Sequence, residues 1–206
     1  MSLRLFIFSE DGFFNSTLTA SLSLIGFDLI GESDNETVAL NSITHHCPDV
    51  VILGVDHGRI KAIELGATLR KRFPEMGLVL ISKTEDLRLL GINLKKLPIG
   101  LVLSQVNSHG AIDLLKEKII LATASTKTKP TIKIDSRLTD SQVETIRLLA
   151  AGNANSEIAK MRFVSEKSVE QMLARIAQML DISFDYQHNS RVRILNSYYE
   201  LVNGRK

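Results

Sequence analysis

Four short runs of apolar residues, LRLFIF (3–8), VVIL (50–53), LVLI (78–81) and IGLVL (99–103), limit most strongly what this chain can fold into. A strand with one wet face alternates apolar and polar residues. A run with no polar break must be covered on both faces, which is the signature of a parallel sheet between helical layers. Residues 27–31 supply a fifth, less apolar strand. The intervening stretches have helical spacing. Residues 13–25 place Phe14, Leu18, Leu22 and Ile25 on one stripe and stop at Gly26. Residues 35–46 turn Val38, Ala39 and Ile43 inward and stop before Pro48; residues 60–73 and 110–122 are helical, and residues 87–94 form a shorter, weaker helix. Five βα units in succession predict a doubly wound α/β domain over residues 1–122, with right-handed crossovers and its site at the C-terminal ends of the strands. No glycine fingerprint follows the first strand, which excludes the dinucleotide-binding version of this topology.

Residues 123–136 (TASTKTKPTIKIDS) have no periodicity and read as an exposed linker. Beyond it, residues 137–206 are all-α. Thr139-x-x-Gln142 is a capping-box signature that opens a helix with Val143, Ile146, Leu149 and Ala150 inward and Gly152 as its stop. Asn155 is the expected cap of a second helix, through Ile158, Ala159 and Met161. Ser165 caps a third, with Glu166 at its electropositive first turn. On this third helix Val169, Leu173, Ile176 and Leu180 form the core stripe, and Lys167, Glu170, Gln171, Ala174, Arg175 and Gln178 the opposite face. A polar stretch, DISFDYQHNS, leads to a fourth helix at 191–202 with Val192, Leu195, Tyr199 and Val202 as its apolar positions.

Two short capped helices, a tight turn and a longer amphipathic helix form the geometry that places one helix in the major groove of DNA. The segment LTDSQVETIRLLAAGNANSEIAKMRFVSEKSVEQMLARIAQML (138–180) resembles the four-helix DNA-binding domain of LuxR/NarL-type transcriptional regulators. The resemblance implies that bases are read from Glu170, Gln171 and Ala174. Glu170 can accept from a cytosine amino group and Gln171 can pair with adenine. It implies phosphate contacts from Lys160, Arg162, Ser165, Lys167, Ser168 and Arg175, with Arg191 and Arg193 as further candidates. Glu170 is repelled by phosphates, so this face is less cationic than is usual in the family. The fourth helix implies either a dimer contact or closure of the bundle's core.

In NarL-type response regulators the N-terminal partner is a phosphoacceptor receiver, and residues 1–122 have its (βα)5 layout. The resemblance implies an acidic pair holding Mg²⁺, an acceptor Asp ending the third strand, a hydroxyl ending the fourth and a Lys ending the fifth. Glu10 and Asp11 fit the acidic pair and Ser82 the hydroxyl. Aligned on Pro48-Asp49, the third strand puts Gly54 at the acceptor position, and GLVLSQ puts Ser104 at the Lys position. The domain therefore reads as a pseudo-receiver. Asp56 shares the face of Gly54 but lies about 7 Å farther along an extended chain; it is either a displaced acceptor or a loop carboxylate. Glu10 and Asp11 remain candidate ligands of a divalent cation such as Mg²⁺, or else acids that cap a helix. No other cofactor is implied.

Composition sets the remaining bounds. Residues 1–122 carry 12 Lys and Arg against 14 Asp and Glu, and residues 123–206 carry 13 against 9, so nucleic acid is expected at the C-terminal end only. With no Trp, nothing suggests a stacking platform for single strands. The lone cysteine, Cys47, excludes an internal disulfide and fits a reducing cytoplasm. Adjacent residues such as His45-His46-Cys47 cannot easily ligate one tetrahedral ion. The apolar run at the N-terminus is too short for a signal peptide or a membrane span. No constellation of groups supports turnover, so an enzyme is not expected. The sequence thus predicts a cytoplasmic, homodimeric regulator of duplex DNA, controlled by dimerisation, a protein partner or a small ligand in place of aspartyl phosphate. The alternatives are a phosphorylation-driven regulator using Asp56, and a protein-interaction regulator with little direct DNA binding.

Overall fold

The structure, a computed structural model, describes every residue except Met1, His57, 106–109, Lys133, 135–136, 183–189 and 205–206. Parts of the expected linker and most of the polar stretch before the last helix lie outside the described residues. No helix among the described residues is long and apolar enough to cross a membrane.

The apolar runs form β1 (Arg4–Phe8), β3 (Val50–Gly54), β4 (Gly77–Ser82) and β5 (Leu101–Gln105), and β2 (Asp28–Ser33) completes an all-parallel sheet in the order β2-β1-β3-β4-β5. Every residue of β3 and β4 is buried, as double-sided coverage requires. Leu5, Ile7, Ile52 and Val79 pack with Leu18 and Leu22 of α1 (Gly12–Leu24) and with Leu115 and Ile119 of α4 (Ala111–Ala124). Phe6 and Phe8 alternate to the other face, which α2 (Glu36–His46) and α3 (Lys61–Arg72) cover with Ala39, Ile43, Leu65 and Leu69. Val38, expected inward, is 54% exposed, and Ala39 and Ile43 are the buried residues of α2. The register of β1 on β2 slips between Leu5 and Phe6, where Gly31 lies against the Phe6 ring. This strand order reverses direction between β1 and β3, which sets the site at their C-terminal ends.

The helix expected at 87–94 is not one. Two 3-10 turns, Leu87–Leu90 and Leu94–Lys96, replace it. Asp86 and Asn93 each accept a hydrogen bond from the amide two residues on, and Gly91, in the left-handed region at φ 86°, ends the first turn. Two stops this close leave no room for the second turn that an α-helix needs to propagate.

The expected linker is also more structured than its composition suggests. Helix α4 runs on to Ala124, Thr126 is buried, and the Gly100 amide donates to the Thr128 carbonyl at 2.6 Å. Gly100 has φ 76°, and a Cβ there would lie 2.5 Å from the Thr126 carbonyl oxygen, so no other residue fits.

The chain divides into two compact units. One comprises residues 1–83 and 92–132; the other comprises residues 84–91 and 133–206. The second unit contains α5 (Asp140–Ala150), α6 (Asn155–Arg162), α7 (Glu166–Met179) and α8 (Ser190–Val202). The Thr139–Gln142 capping box is formed on α5, and the Ser165 hydroxyl accepts from the Ser168 amide at 3.1 Å on α7. Asn155 does not cap α6. The cap position is Ala154, whose amide donates to Glu157 at 2.7 Å, and Asn155 instead accepts from Arg191 at 3.1 Å. The core takes Val169, Leu173 and Ile176 from α7 as expected, with Leu180 at its C-cap only partly covered. On α8 the buried stripe is Ile194, Tyr198 and Val202; Val202 is buried as expected and Leu195 is half-buried, but Ile194 and Tyr198 take the inner places while Val192 and Tyr199 face outward. Tyr198 sets this phase, because its fully enclosed ring delivers the hydroxyl to the Leu89 carbonyl at 2.9 Å. Burial pushes its phenol up to about 12.

Candidate nucleic-acid interface and residual receiver cleft

At the C-terminal ends of β1, β3 and β4 the structure brings together Glu10, Asp11, Gly54, Asp56 and Ser82 around one cleft. Ser104 is not among them. It pairs in register with Ile81, is buried, and its hydroxyl finds no hydrogen-bond partner among the described residues. Sequence reasoning missed three cations that the fold adds. Asp56 and Arg59 exchange two backbone hydrogen bonds, 3.2 and 3.0 Å, and this turn carries the Arg59 guanidinium to Asp11 at 3.1 Å. The Lys83 ammonium, one residue beyond Ser82, reaches Asp56 at 3.1 Å. Lys61 lies 3.7 Å from Glu10.

Both members of the acidic pair serve as helix caps. The Asp11 carboxylate accepts from the Phe14 amide at 3.1 Å, which caps α1; this bond, helped by Arg59, holds its carboxyl below the usual carboxylate range. Helix α3 has no side-chain cap of its own at Ile60, and Glu10 supplies one across space, accepting from the Lys61 amide at 3.1 Å. Each acid thus meets a helix N-terminus and a cation, an arrangement that satisfies a carboxylate without a metal ion. Among the described residues no group of three or more acidic, His or Cys side chains is placed to hold a metal ion.

Gly54 leaves little room for a side chain. A Cβ built there would lie 2.6 Å from the Ser9 Cβ and 3.1 Å from Cε1 of Phe14. The space where an acceptor side chain would start is already filled.

In the helical unit, α7 presents Lys167, Ser168, Glu170, Gln171, Ala174 and Arg175 on its exposed side, and Lys160 is exposed on α6. The Ser165 and Ser168 hydroxyls share a 2.8 Å hydrogen bond at the start of α7. Arg162 points elsewhere. Its guanidinium bonds Ser141 at 2.6 Å and also Thr145, and it lies 3.5 Å from Glu144, all on α5. Arg191 is likewise turned inward, donating to Asn155 and, at 2.5 Å, to the Asn153 carbonyl. The exposed cations of the reading side are therefore Lys160, Lys167 and Arg175, set against Glu166 and Glu170. The turn before α7 holds Phe163 in the left-handed region at φ 54° and 95% exposed.

No protein-family model matches the chain. A putative transcriptional regulator of Pseudomonas aeruginosa is 27% identical over 168 residues, covering 76% of this chain and 80% of that protein. The virulence factors putative positive transcription regulator BvgA of Bordetella pertussis is 27% identical over 171 residues, with the same coverage of 76% and 80%. Among solved structures, the two-component response regulator RcsB in complex with DNA is 20% identical, covers 98% of this chain and 100% of that one, and superposes with a TM-score of 0.55. The shared fold is a parallel five-stranded receiver domain followed by a helical domain.

Two outcomes follow for the cleft. Gly54→Asp lowers stability by about 1–3 kcal/mol in chemical denaturation, the usual range for overpacking, and yields no aspartyl phosphate adduct by mass spectrometry. Because its folded-state carboxyl is lowered, Asp11 contributes stability that is fully present above the unfolded-state value and is lost as the pH falls through the lower folded-state value. In acid titrations followed by circular dichroism, the stability difference between the wild type and Asp11→Ala is constant near neutrality and shrinks below the ordinary Asp range.

Proposed function

We propose that this chain, a LuxR/NarL-type response regulator in sequence similarity and fold, is a DNA-binding transcription regulator whose control does not pass through the usual aspartyl phosphate. The observation that carries the DNA reading is α7 itself. It is a helix capped by Ser165, buried along Val169, Leu173 and Ile176, and open on the side that bears Glu170, Gln171 and Ala174. In this reading Gln171 and Glu170 meet base edges while Lys160, Lys167, Ser168 and Arg175 meet phosphates. Arg162 is left out of the phosphate set because α5 occupies it, and Ser165 acts chiefly as the cap. The regulator works as a homodimer on a two-fold-symmetric site, in the cytoplasm. Its input is a partner protein or small ligand at the receiver-like unit, with no Mg²⁺ required.

Phosphate-independent control is supported by the filled space at Gly54 and by the internal pairing of Glu10, Asp11 and Asp56. A second reading has one observation in its favour: Asp56 lies in the same cleft as Ser82 and is paired with the Lys83 ammonium, as a displaced acceptor would be. The two readings separate on incubation with acetyl phosphate and Mg²⁺. Phosphate-independent control predicts no mass increase, whereas a displaced acceptor gives an adduct that Asp56→Asn abolishes.

The DNA reading is tested by selecting bound duplexes from a random pool and titrating the winner against salt. Affinity falls steeply with salt, Lys167→Ala lowers the log–log slope by about 1 per protomer, and Gln171→Ala relaxes the preference at one base pair by about 1–3 kcal/mol. Enrichment of no sequence together with a flat salt response overturns it and favours a protein-interaction regulator.

A further inference from the structure

The turn between α6 and α7 holds a side chain that the bundle does not use. Phe163 is 95% exposed, more than any other large apolar residue among those described, and its neighbours Met161 and Val164 are exposed too. The residues that α6 buries are Ile158 and Ala159.

The backbone makes this placement costly. Phe163 closes α6 in the left-handed region, at φ 54° and ψ 44°. Glycine, or failing that asparagine, ordinarily takes such a position, because a Cβ crowds the following carbonyl oxygen there. Of the three non-glycine residues with positive φ among those described, Cys47, Phe163 and Asp181, Phe163 is the bulkiest. Two hydrogen bonds fix the conformation: the Phe163 amide donates to the Lys160 carbonyl at 3.3 Å, and the Val164 amide to the Ala159 carbonyl at 3.0 Å. A large apolar ring is thus held out in water on a strained residue, with almost none of it packed against the chain.

Its surroundings fit one partner. From Ile158 to Ser165 the only charged residues are the cations Lys160 and Arg162. Arg162 is engaged by α5, whereas Lys160 is exposed before the turn and Lys167 beyond it. Glu166, the first acid after the turn, lies in the electropositive first turn of α7. One ring with two exposed neighbours is also far less than the about twenty residues that a stable protein interface takes from each side. An apolar ring between ammonium groups, two residues before the cap of a helix whose N-terminal end meets base edges, suits the edge of the major groove. There the cations meet phosphates, and the ring meets the apolar group that the groove displays, the thymine C5-methyl.

We propose that Phe163 is a specificity residue of the helical unit, its ring packing on the methyl group of one thymine beside the bases that α7 reads. The assignment rests on the DNA-binding reading.

The test uses the full chain and the duplex chosen from the random pool, with each thymine replaced in turn by deoxyuridine, which lacks only the methyl group. At one position of each half-site the wild type loses about fourfold in affinity, what burial of a single methyl group contributes. Phe163→Asn weakens binding to the thymine duplex by at least that factor and no longer distinguishes thymine from uracil there. The same variant raises the thermal denaturation midpoint, because Asn adopts the left-handed region more readily and almost no packing is lost. Equal sensitivity of wild type and variant at every thymine overturns the assignment; with the salt response and the Gln171 preference intact, the DNA reading then still stands. Loss of promoter output in Phe163→Asn with duplex affinity unchanged overturns it as well, and gives the turn to a protein partner. If no duplex is enriched and the salt response is flat, the assignment and the DNA reading fall together.

Discussion

Burial of β3 and β4 on both faces is the constraint on which the rest of the receiver-like unit depends. Strands with no wet side leave polar groups only their ends and the crossovers, and the β2-β1-β3-β4-β5 order gathers those ends into a single cleft. Close packing then governs what the cleft can hold. At Gly54 the sheet, Ser9 and Phe14 have closed over the place of a side chain, and protein interiors transmit such a change because they have few voids to absorb it. Gly54 is accordingly a tightly packed position, set against Ser9 just after β1 and Phe14 of α1.

Charge follows the same logic. A phosphoacceptor site concentrates negative charge that a metal ion must offset. Here each carboxylate of the cleft has its own cation: Arg59 for Asp11, Lys61 for Glu10, Lys83 for Asp56. These pairs are partly exposed, and each contributes at most about 1 kcal/mol; their importance lies in what they displace. Because Glu10 and Asp11 also cap α3 and α1, pulling them toward a metal would uncap two helices. The two acids thus have a structural role as helix caps, which the acidic pair alone did not reveal.

What was legible in the sequence was what local rules decide. The Thr139–Gln142 box, the Ser165 cap and the Val169–Leu173–Ile176 stripe depend on residues three and four apart, and each formed as read. Continuous apolar strands announced a parallel sheet for the same reason. Features set by distant partners were hidden. Helix α8 has two adjacent apolar stripes, and only docking of the Tyr198 hydroxyl on Leu89, far back in the chain, selects the inner one. Residues 84–91 look like part of the sheet domain because they lie between two of its strands, yet their leucines and Arg88, which bonds Asp140, complete the helical unit. Arg59 reached Asp11 through a turn whose return path no periodicity encodes. Arg162 and Arg191 looked like phosphate ligands because charge count cannot tell a guanidinium in solvent from one braced against α5 or Asn155.

That last distinction changes what the reading face can do. With Arg162 and Arg191 occupied inside the bundle, one copy of α7 and its neighbour offer Lys160, Lys167 and Arg175 to phosphates, while Glu166 and Glu170 oppose them. Each phosphate neutralised releases roughly 0.9 counterion, so a single copy gains little of the sequence-independent attraction that usually dominates binding to duplex DNA. Two copies on one symmetric site double that term and let the second contact form at the high effective concentration set by the first. In the proposed DNA reading, a face this nearly neutral would tie binding to dimerisation more tightly than a cationic one. In the same reading it would also shift discrimination toward direct contacts of Gln171 and Glu170, since Glu170 would tolerate nearby phosphates only where a base amino group repays its desolvation.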